Sequence, residues 1–210
     1  MSSPPRPFST RHVQFVRALL AAAAALMITF SPDHSAGVGF GVFSGFAVAT
    51  GLVFGFAAWL VAASGRRGVY ALLAAISLVA GLLSGFPPLR SDVGFFAIVI
   101  SWAALSGLVE LVAGVLARKR EETGARDTII TGVLGLLLAV ALLLVPANYS
   151  WGYSIEGAGD FTLTGIVLGV GMLGAYCAVV AVFLAIAGFS PRDAQAPNAP
   201  ADAPENEVTA

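Results

Sequence analysis

Long apolar runs constrain the fold of this chain more than any other feature of its sequence. Six such runs, each of about 18 to 27 residues, alternate with short islands that hold most of the charge. A run of this length crosses the hydrocarbon core of a bilayer, where the backbone of an isolated segment is satisfied only as a helix. We therefore predict an all-α integral membrane protein with six transmembrane helices, at residues 13–30, 37–63, 69–86, 93–117, 128–145 and 163–189.

The ends of the chain differ in composition from the apolar domain at 13–189. Residues 1–12 are predicted to be a cytoplasmic N-terminal segment, and residues 190–210, rich in Pro, Ala and acids, a disordered cytoplasmic tail. A cleaved signal peptide is the alternative for the first run. That run ends in "MITFSPDH", which lacks a small-x-small cleavage pattern, so we expect it to be retained.

The distribution of Lys and Arg predicts the orientation. With the N-terminus in the cytoplasm, ten of the 11 basic residues lie on the cytoplasmic side and only Arg90 lies outside. This bias predicts that both termini are cytoplasmic in a multi-pass protein of a bacterial plasma (inner) membrane. The last outer loop carries Tyr149, Trp151 and Tyr153, which suit the membrane interface, with a ligand-binding loop as the alternative.

Composition and side-chain inventory exclude several classes of function. The 11 basic and 12 acidic residues balance, so nothing favours binding to nucleic acid. One cysteine, Cys177, and two histidines cannot assemble a Cys/His metal site. No nucleophile with a base, carboxylate pair or glycine-rich phosphate loop is visible. We predict a protein that is not an enzyme and needs no cofactor, with the lipid bilayer as its partner and a second copy or another membrane protein as a candidate partner.

The six predicted helices form three hairpins, at about 13–63, 69–117 and 128–189, that resemble one another. "TGLVFGFAAWL" in the first hairpin matches "SGLVELVAGVL" in the second at Gly, Leu and Val, with Gly51 and Gly107 separated by 56 residues. The third copy is looser and shares Gly174 at this position. The first helix of each hairpin ends near a proline, which cannot continue it: Pro32, Pro88 and Pro146.

These motifs carry a resemblance to a known family. "SGLVELVAGVLARKR" followed by a short charged loop, the helix start "TGVLGLLLAV" and the helix end "LLLVP" resemble the HdeD-like acid-resistance membrane proteins, best over residues 69–146. The resemblance implies a small six-span inner-membrane protein linked to survival of acid stress. It implies no catalytic residues.

Glu110 lies inside the fourth apolar run. The helical face that it shares carries only small residues, which favours a neighbouring helix over lipid: Ala103, Ser106, Gly107, Ala113, Gly114 and Ala117. Seven residues separate Glu110 from Ala117, or about 10 Å of helix, which is too deep for glutamate to reach water. Its charged form would cost about 3 kcal/mol or more, so the carboxyl group must be protonated or paired.

Arg17 is the cation at a similar depth, about 6 Å into the first predicted helix. We therefore predict that Arg17 and Glu110 lie close together. In the structural interpretation, Glu110 only fixes the helix register. In the functional one, it is the titrating group of a small transporter or a proton- or ion-conducting protein. A transporter would usually have further buried polar groups, and the sequence shows almost none; a wet cavity reaching Glu110 would favour it.

Pairs of glycines at four-residue spacing occur in several runs, including Gly41 with Gly45 and Gly51 with Gly55. Together with Gly107 and Gly114, they are predicted to let helices approach closely. Packing within the monomer is the main interpretation, and oligomerisation is the alternative.

Overall fold

The computed structural model describes residues 10–60, 64–157 and 159–189. Six helices in this part of the chain are long and apolar enough to cross a membrane, which confirms the prediction of a multi-pass helical membrane protein. The expected tail at 190–210 and most of the expected segment at 1–12 lie outside the described residues. The helices are α1 Thr10–Thr29, α2 Ala36–Leu60, α3 Ser64–Gly85, α4 Asp92–Lys119, α5 Ala125–Leu143 and α6 Gly165–Phe189.

The turn between α3 and α4 shows how local sequence ends and starts these helices. A short 3-10 helix, Pro87–Leu89, follows α3, because proline cannot extend the preceding helix. The Ser91 hydroxyl then accepts a hydrogen bond from the Gly94 N–H at 3.1 Å and caps the start of α4. At its other end, α4 carries Arg118 and Lys119. Their positive charges are stabilised there by the negative end of the helix dipole.

The segment before α6 corrects the prediction of an all-α chain. Two strands, β1 Ser150–Ile155 and β2 Gly159–Thr164, pair as an antiparallel hairpin, with Trp151 opposite Leu163 and Tyr153 opposite Phe161. Along both strands, aromatic or aliphatic residues alternate with small or polar ones, a pattern that favours a strand. The rings of Tyr153 and Phe161 stack across the pair, with 5.8 Å between their centres. Because β2 occupies residues that had been expected to open the sixth helix, α6 begins at Gly165.

Helices α2 and α3, α4 and α5, and α1 and α6 make the most extensive helix contacts of the described bundle, each pair antiparallel. Glycine permits the close approach of α4 and α5: a Cβ placed on Gly132 would lie 2.5 Å from the Leu111 backbone nitrogen, and one on Gly107 would lie 2.9 Å from the Gly132 carbonyl oxygen. Gly51 similarly contacts Leu78 of α3. The closest packing therefore joins helices of different predicted hairpins rather than the two helices within each hairpin.

The structure corrects the glycine prediction for α2. Gly51, Gly107 and Gly114 pack against neighbouring helices, whereas a Cβ on Gly41, Gly45 or Gly55 would meet no other described atom within 4 Å. The reason is that α2 turns its large apolar side chains toward the bundle, which leaves Gly41 and Gly45 on the outer face. The buried residues of α2 include Phe40, Phe43, Ala47 and Phe54.

Aromatic side chains fill one half of the bundle, the half that adjoins the β-hairpin. We call this set the aromatic plug: Phe40, Phe43, Phe46, Phe95 and Trp102, all buried. Edge-to-face contacts join them, with the Phe40 and Phe95 rings 5.7 Å apart and the Phe43 and Trp102 rings 5.3 Å apart. We call the opposite end the basic end, because Arg11, Arg66 and Arg120 lie there, where α1, α3 and α5 begin.

Candidate functional site

Arg17 and Glu110 meet inside the bundle. The distance between Arg17 Nη2 and Glu110 Oε1 is 2.7 Å, and the two side chains are only 16% and 7% exposed. The guanidinium of Arg17 also lies over the ring of Phe54, 4.5 Å from its centre. Phe54 occupies the position in the first predicted hairpin that Glu110 occupies in the second, so Arg17 lies between corresponding residues of α2 and α4.

The small residues around Glu110 determine which way its side chain points. Gly107 and Gly114 lie on the part of α4 that packs against α5. Ser106, one turn before Glu110, is buried and donates its hydroxyl to the Trp102 carbonyl oxygen at 2.6 Å. Close packing of this face leaves the carboxylate inside the bundle, where α1 supplies Arg17.

A cavity leads from the basic end to this ion pair. Its volume is about 170 Å³, and both Arg17 and Glu110 line it. We call it the vestibule; its wall includes Phe54, Tyr70 and Leu73, and its mouth is lined by Arg66, Arg120 and Glu122. A cavity of this size holds several water molecules, and its polar groups make water the natural occupant. The buried carboxylate is therefore reachable from one end of the bundle.

Charged side chains cross the mouth of the vestibule without closing it tightly. Glu122 lies between two cations, 3.5 Å from Arg66 Nη1 and 3.9 Å from Arg120 Nη1. These distances exceed those of close charge-assisted hydrogen bonds. These residues come from the start of α3 and from the charged loop "ARKREETGARD" between α4 and α5.

A second, smaller cavity also borders Arg17. It has a volume of about 40 Å³ and is lined by Gln14, Arg17, Tyr70, Asp127 and Thr131, among others. Gln14 Nε2 donates a hydrogen bond to Asp127 Oδ2 at 3.1 Å, which joins α1 to α5. Polar groups from three helices thus surround Arg17 on the side of the basic end.

Beyond the ion pair, toward the aromatic plug, lies a group of buried hydroxyls. A cavity of about 20 Å³ there is lined by Thr50, Ser77, Ser106 and Tyr176, together with Glu110. The expectation of almost no further buried polar groups in the spans was therefore wrong. A signal was present in the sequence, because Thr50 and Ser106 both precede the glycine of the repeated "GLV" motif.

Comparison with protein-family models, curated proteins and solved structures found no match to this chain. The class of multi-pass membrane protein rests on the six apolar helices of the described residues. The vestibule and the ion pair are the features of the described residues from which a function can be inferred. Chemically, this arrangement can admit water and protons to a carboxylate that holds a buried guanidinium.

Proposed function

We propose that this chain is a non-catalytic, multi-pass membrane protein whose working site is the Arg17–Glu110 pair at the end of the vestibule. A proton that enters the vestibule can neutralise Glu110 and remove the charge that holds Arg17. A buried guanidinium without its carboxylate is costly, so the pair must then separate or rehydrate. The pair is a two-state element whose populations depend on proton concentration at the basic end. The observation that carries this proposal is that the vestibule reaches Glu110.

We also propose which membrane the chain spans and which side of it the basic end faces. The excess of Lys and Arg at the basic end supports a cytoplasmic location for that end and for both termini, in a bacterial plasma membrane. The exposed apolar faces of the helices require lipid around them. The outward-facing Gly41 and Gly45 are the positions on α2 where a second copy or another membrane protein could approach closely.

The family resemblance supports a role in the response to envelope or acid stress. We propose that the chain is of the HdeD-like kind, built from three helical hairpins. Packing supports the repeat, because the second helix of each hairpin packs on the first helix of another hairpin: α2 on α3, α4 on α5, and α6 back on α1. The matched residues Gly51, Gly107 and Gly174 each lie at one of these three interfaces.

A second candidate function is a small transporter or a proton- or ion-conducting protein in which Glu110 titrates. The vestibule and the hydroxyl-lined cavity beyond the ion pair favour it, because a conduction path needs polar groups deep in the bundle. The aromatic plug opposes it, since Phe40, Phe43 and Phe95 have no exposed surface. Conduction would require the plug to open.

The fluorescence of Trp102 can test the proposed function, because Trp102 and Glu110 line the same small cavity. The other two tryptophans, Trp59 and Trp151, are exposed and can be replaced by phenylalanine. In protein reconstituted in liposomes, we expect the Trp102 emission maximum to shift when the pH at the basic end is lowered. Glu110→Gln should abolish this shift, whereas Glu122→Gln at the mouth should retain it.

Proton flux into the same liposomes separates the two candidate functions. We expect no flux above that of protein-free liposomes for either the wild type or Glu110→Gln, because the plug closes the path. Flux in the wild type that Glu110→Gln abolishes would favour the conducting protein. A Trp102 response that persists unchanged in Glu110→Gln would contradict a role for this carboxylate.

A further inference from the structure

Thr50 differs from several other hydroxyl residues of the described helices in what its side chain contacts. Several helical hydroxyls donate to the carbonyl oxygen four residues earlier: Ser84, Ser106, Thr128 and Thr131. Thr50 is only 4% exposed, yet its Oγ1 has no hydrogen-bond partner among the described residues. A buried hydroxyl without a partner is unfavourable anywhere and more so at membrane depth, where no bulk water competes.

The cavity that Thr50 lines has the size and the polarity of a water site. Its volume of about 20 Å³ exceeds the roughly 10–15 Å³ that one water molecule requires. A buried water also needs two to four polar partners, and the wall offers the Glu110 carboxylate and the Ser106 hydroxyl besides Thr50. Cavities that stay empty in proteins are lined by apolar groups, whereas the wall of this one includes a carboxylate and several hydroxyl groups.

We propose that a single water molecule occupies this cavity and bonds to Thr50 Oγ1 and to the carboxylate of Glu110. A monovalent cation suits the site less well, because the guanidinium of Arg17 lines the same cavity and repels positive charge. The water extends the polar path from the vestibule past the ion pair to the inner edge of the aromatic plug. It gives Glu110 a hydrogen-bond partner on the side away from the basic end.

This water deepens the proposed function, since it places a proton acceptor next to Glu110, but its test is independent of that function. Thr50→Val replaces the hydroxyl with a methyl group of similar size. If the water is present, this variant removes its hydrogen bond to Thr50. We then expect the melting temperature to fall by about 2 to 4 °C, the shift expected for one lost hydrogen bond in a chain of this length. If the hydroxyl is simply unpaired, removing it raises the melting temperature.

Thr131→Val is the matched control. Thr131 is as buried as Thr50, but its hydroxyl bonds to the Asp127 and Thr128 carbonyl oxygens within its own helix. We expect a smaller loss of melting temperature than for Thr50→Val, because those carbonyls already take part in the helix. A rise, or no change, in the melting temperature of Thr50→Val would overturn the water site.

A salt series identifies the occupant. Melting in NaCl, in KCl and in choline chloride at equal ionic strength should give the same difference between the wild type and Thr50→Val if the occupant is water. If the two proteins differ in melting temperature only in NaCl or KCl, the occupant is a cation rather than water, and the proposal is overturned. The proposed function fails separately, if the pH response of Trp102 does not depend on Glu110.

Discussion

Replacing Arg17 with leucine should lower the free energy of unfolding by roughly 3 to 5 kcal/mol, the usual cost of breaking a buried ion pair. In this protein the Glu110 side chain is only 7% exposed, and its carboxylate lies 2.7 Å from Arg17 Nη2. In the variant this carboxylate would remain in the bundle without a cation beside it. It would have to take up a proton or draw water deeper into the vestibule. Unfolding in mixed micelles of mild detergent and SDS would measure the loss.

The double variant Arg17→Leu with Glu110→Leu is the control for this prediction. It removes both charges, so it leaves neither group unpaired, and we expect it to recover most of the lost stability. Replacing a buried ion pair with apolar side chains is often neutral or stabilising. A double variant as unstable as Arg17→Leu would mean that Arg17 acts through Phe54 and the cavity wall rather than through the ion pair.

Replacing Gly132 with alanine should destabilise the protein by roughly 3 kcal/mol, at the upper end of the cost of overpacking a core. The new Cβ would lie 2.5 Å from the Leu111 backbone nitrogen and 2.8 Å from the Gly107 carbonyl oxygen. Both neighbours are backbone atoms, so only a separation of α4 from α5 can relieve the clash. The same movement would displace Glu110, which α4 carries three residues after Gly107, so the Trp102 response should weaken as well.

Gly41→Ala is the matched control, since Gly41 is also a helical glycine in an apolar span. Its added Cβ would meet no other described atom within 4 Å. We expect unchanged stability or a gain of up to about 1 kcal/mol from the better helix former. Equal losses for Gly132→Ala and Gly41→Ala would mean that the contact of α4 with α5 is not the tight one, or that α2 packs against a second copy.

The helices and the partner of Glu110 were predictable from the sequence for simple physical reasons. Lipid forces each long apolar run to be a helix, and helix rise converts residue number into depth. Depth was enough to nominate Arg17 as the partner of Glu110, and the structure places the two in contact. Depth in the membrane is the one coordinate that residue number gives directly, because every span is a helix.

What the sequence could not predict depends on rotation of the helices and on contacts across the bundle. The apolar run of α2 has no polar side to show which face points inward, so Gly41 and Gly45 were expected to pack inside. The vestibule is lined by residues of several helices and of the charged loop, and Tyr70 and Glu122 reach it only after the helices are assembled. The β-hairpin was missed because its aromatic residues, which lie between two spans, were interpreted as an outer loop at the membrane interface.

Thiol accessibility from each side of the membrane tests the central claim most directly, namely that the vestibule opens to Glu110 from one face while the plug closes the other. Cys177 is the chain's one cysteine and is buried, so Cys177→Ala gives a background without thiols. Tyr70→Cys places a thiol on the vestibule wall, and Ala47→Cys places one in the buried core near the aromatic plug. We expect a small, membrane-impermeant thiol reagent to modify Tyr70→Cys only from the face that holds the basic end, and to leave Ala47→Cys unmodified from both faces. Protection of Tyr70→Cys from both faces, or modification of Ala47→Cys from the hairpin face, would contradict the account.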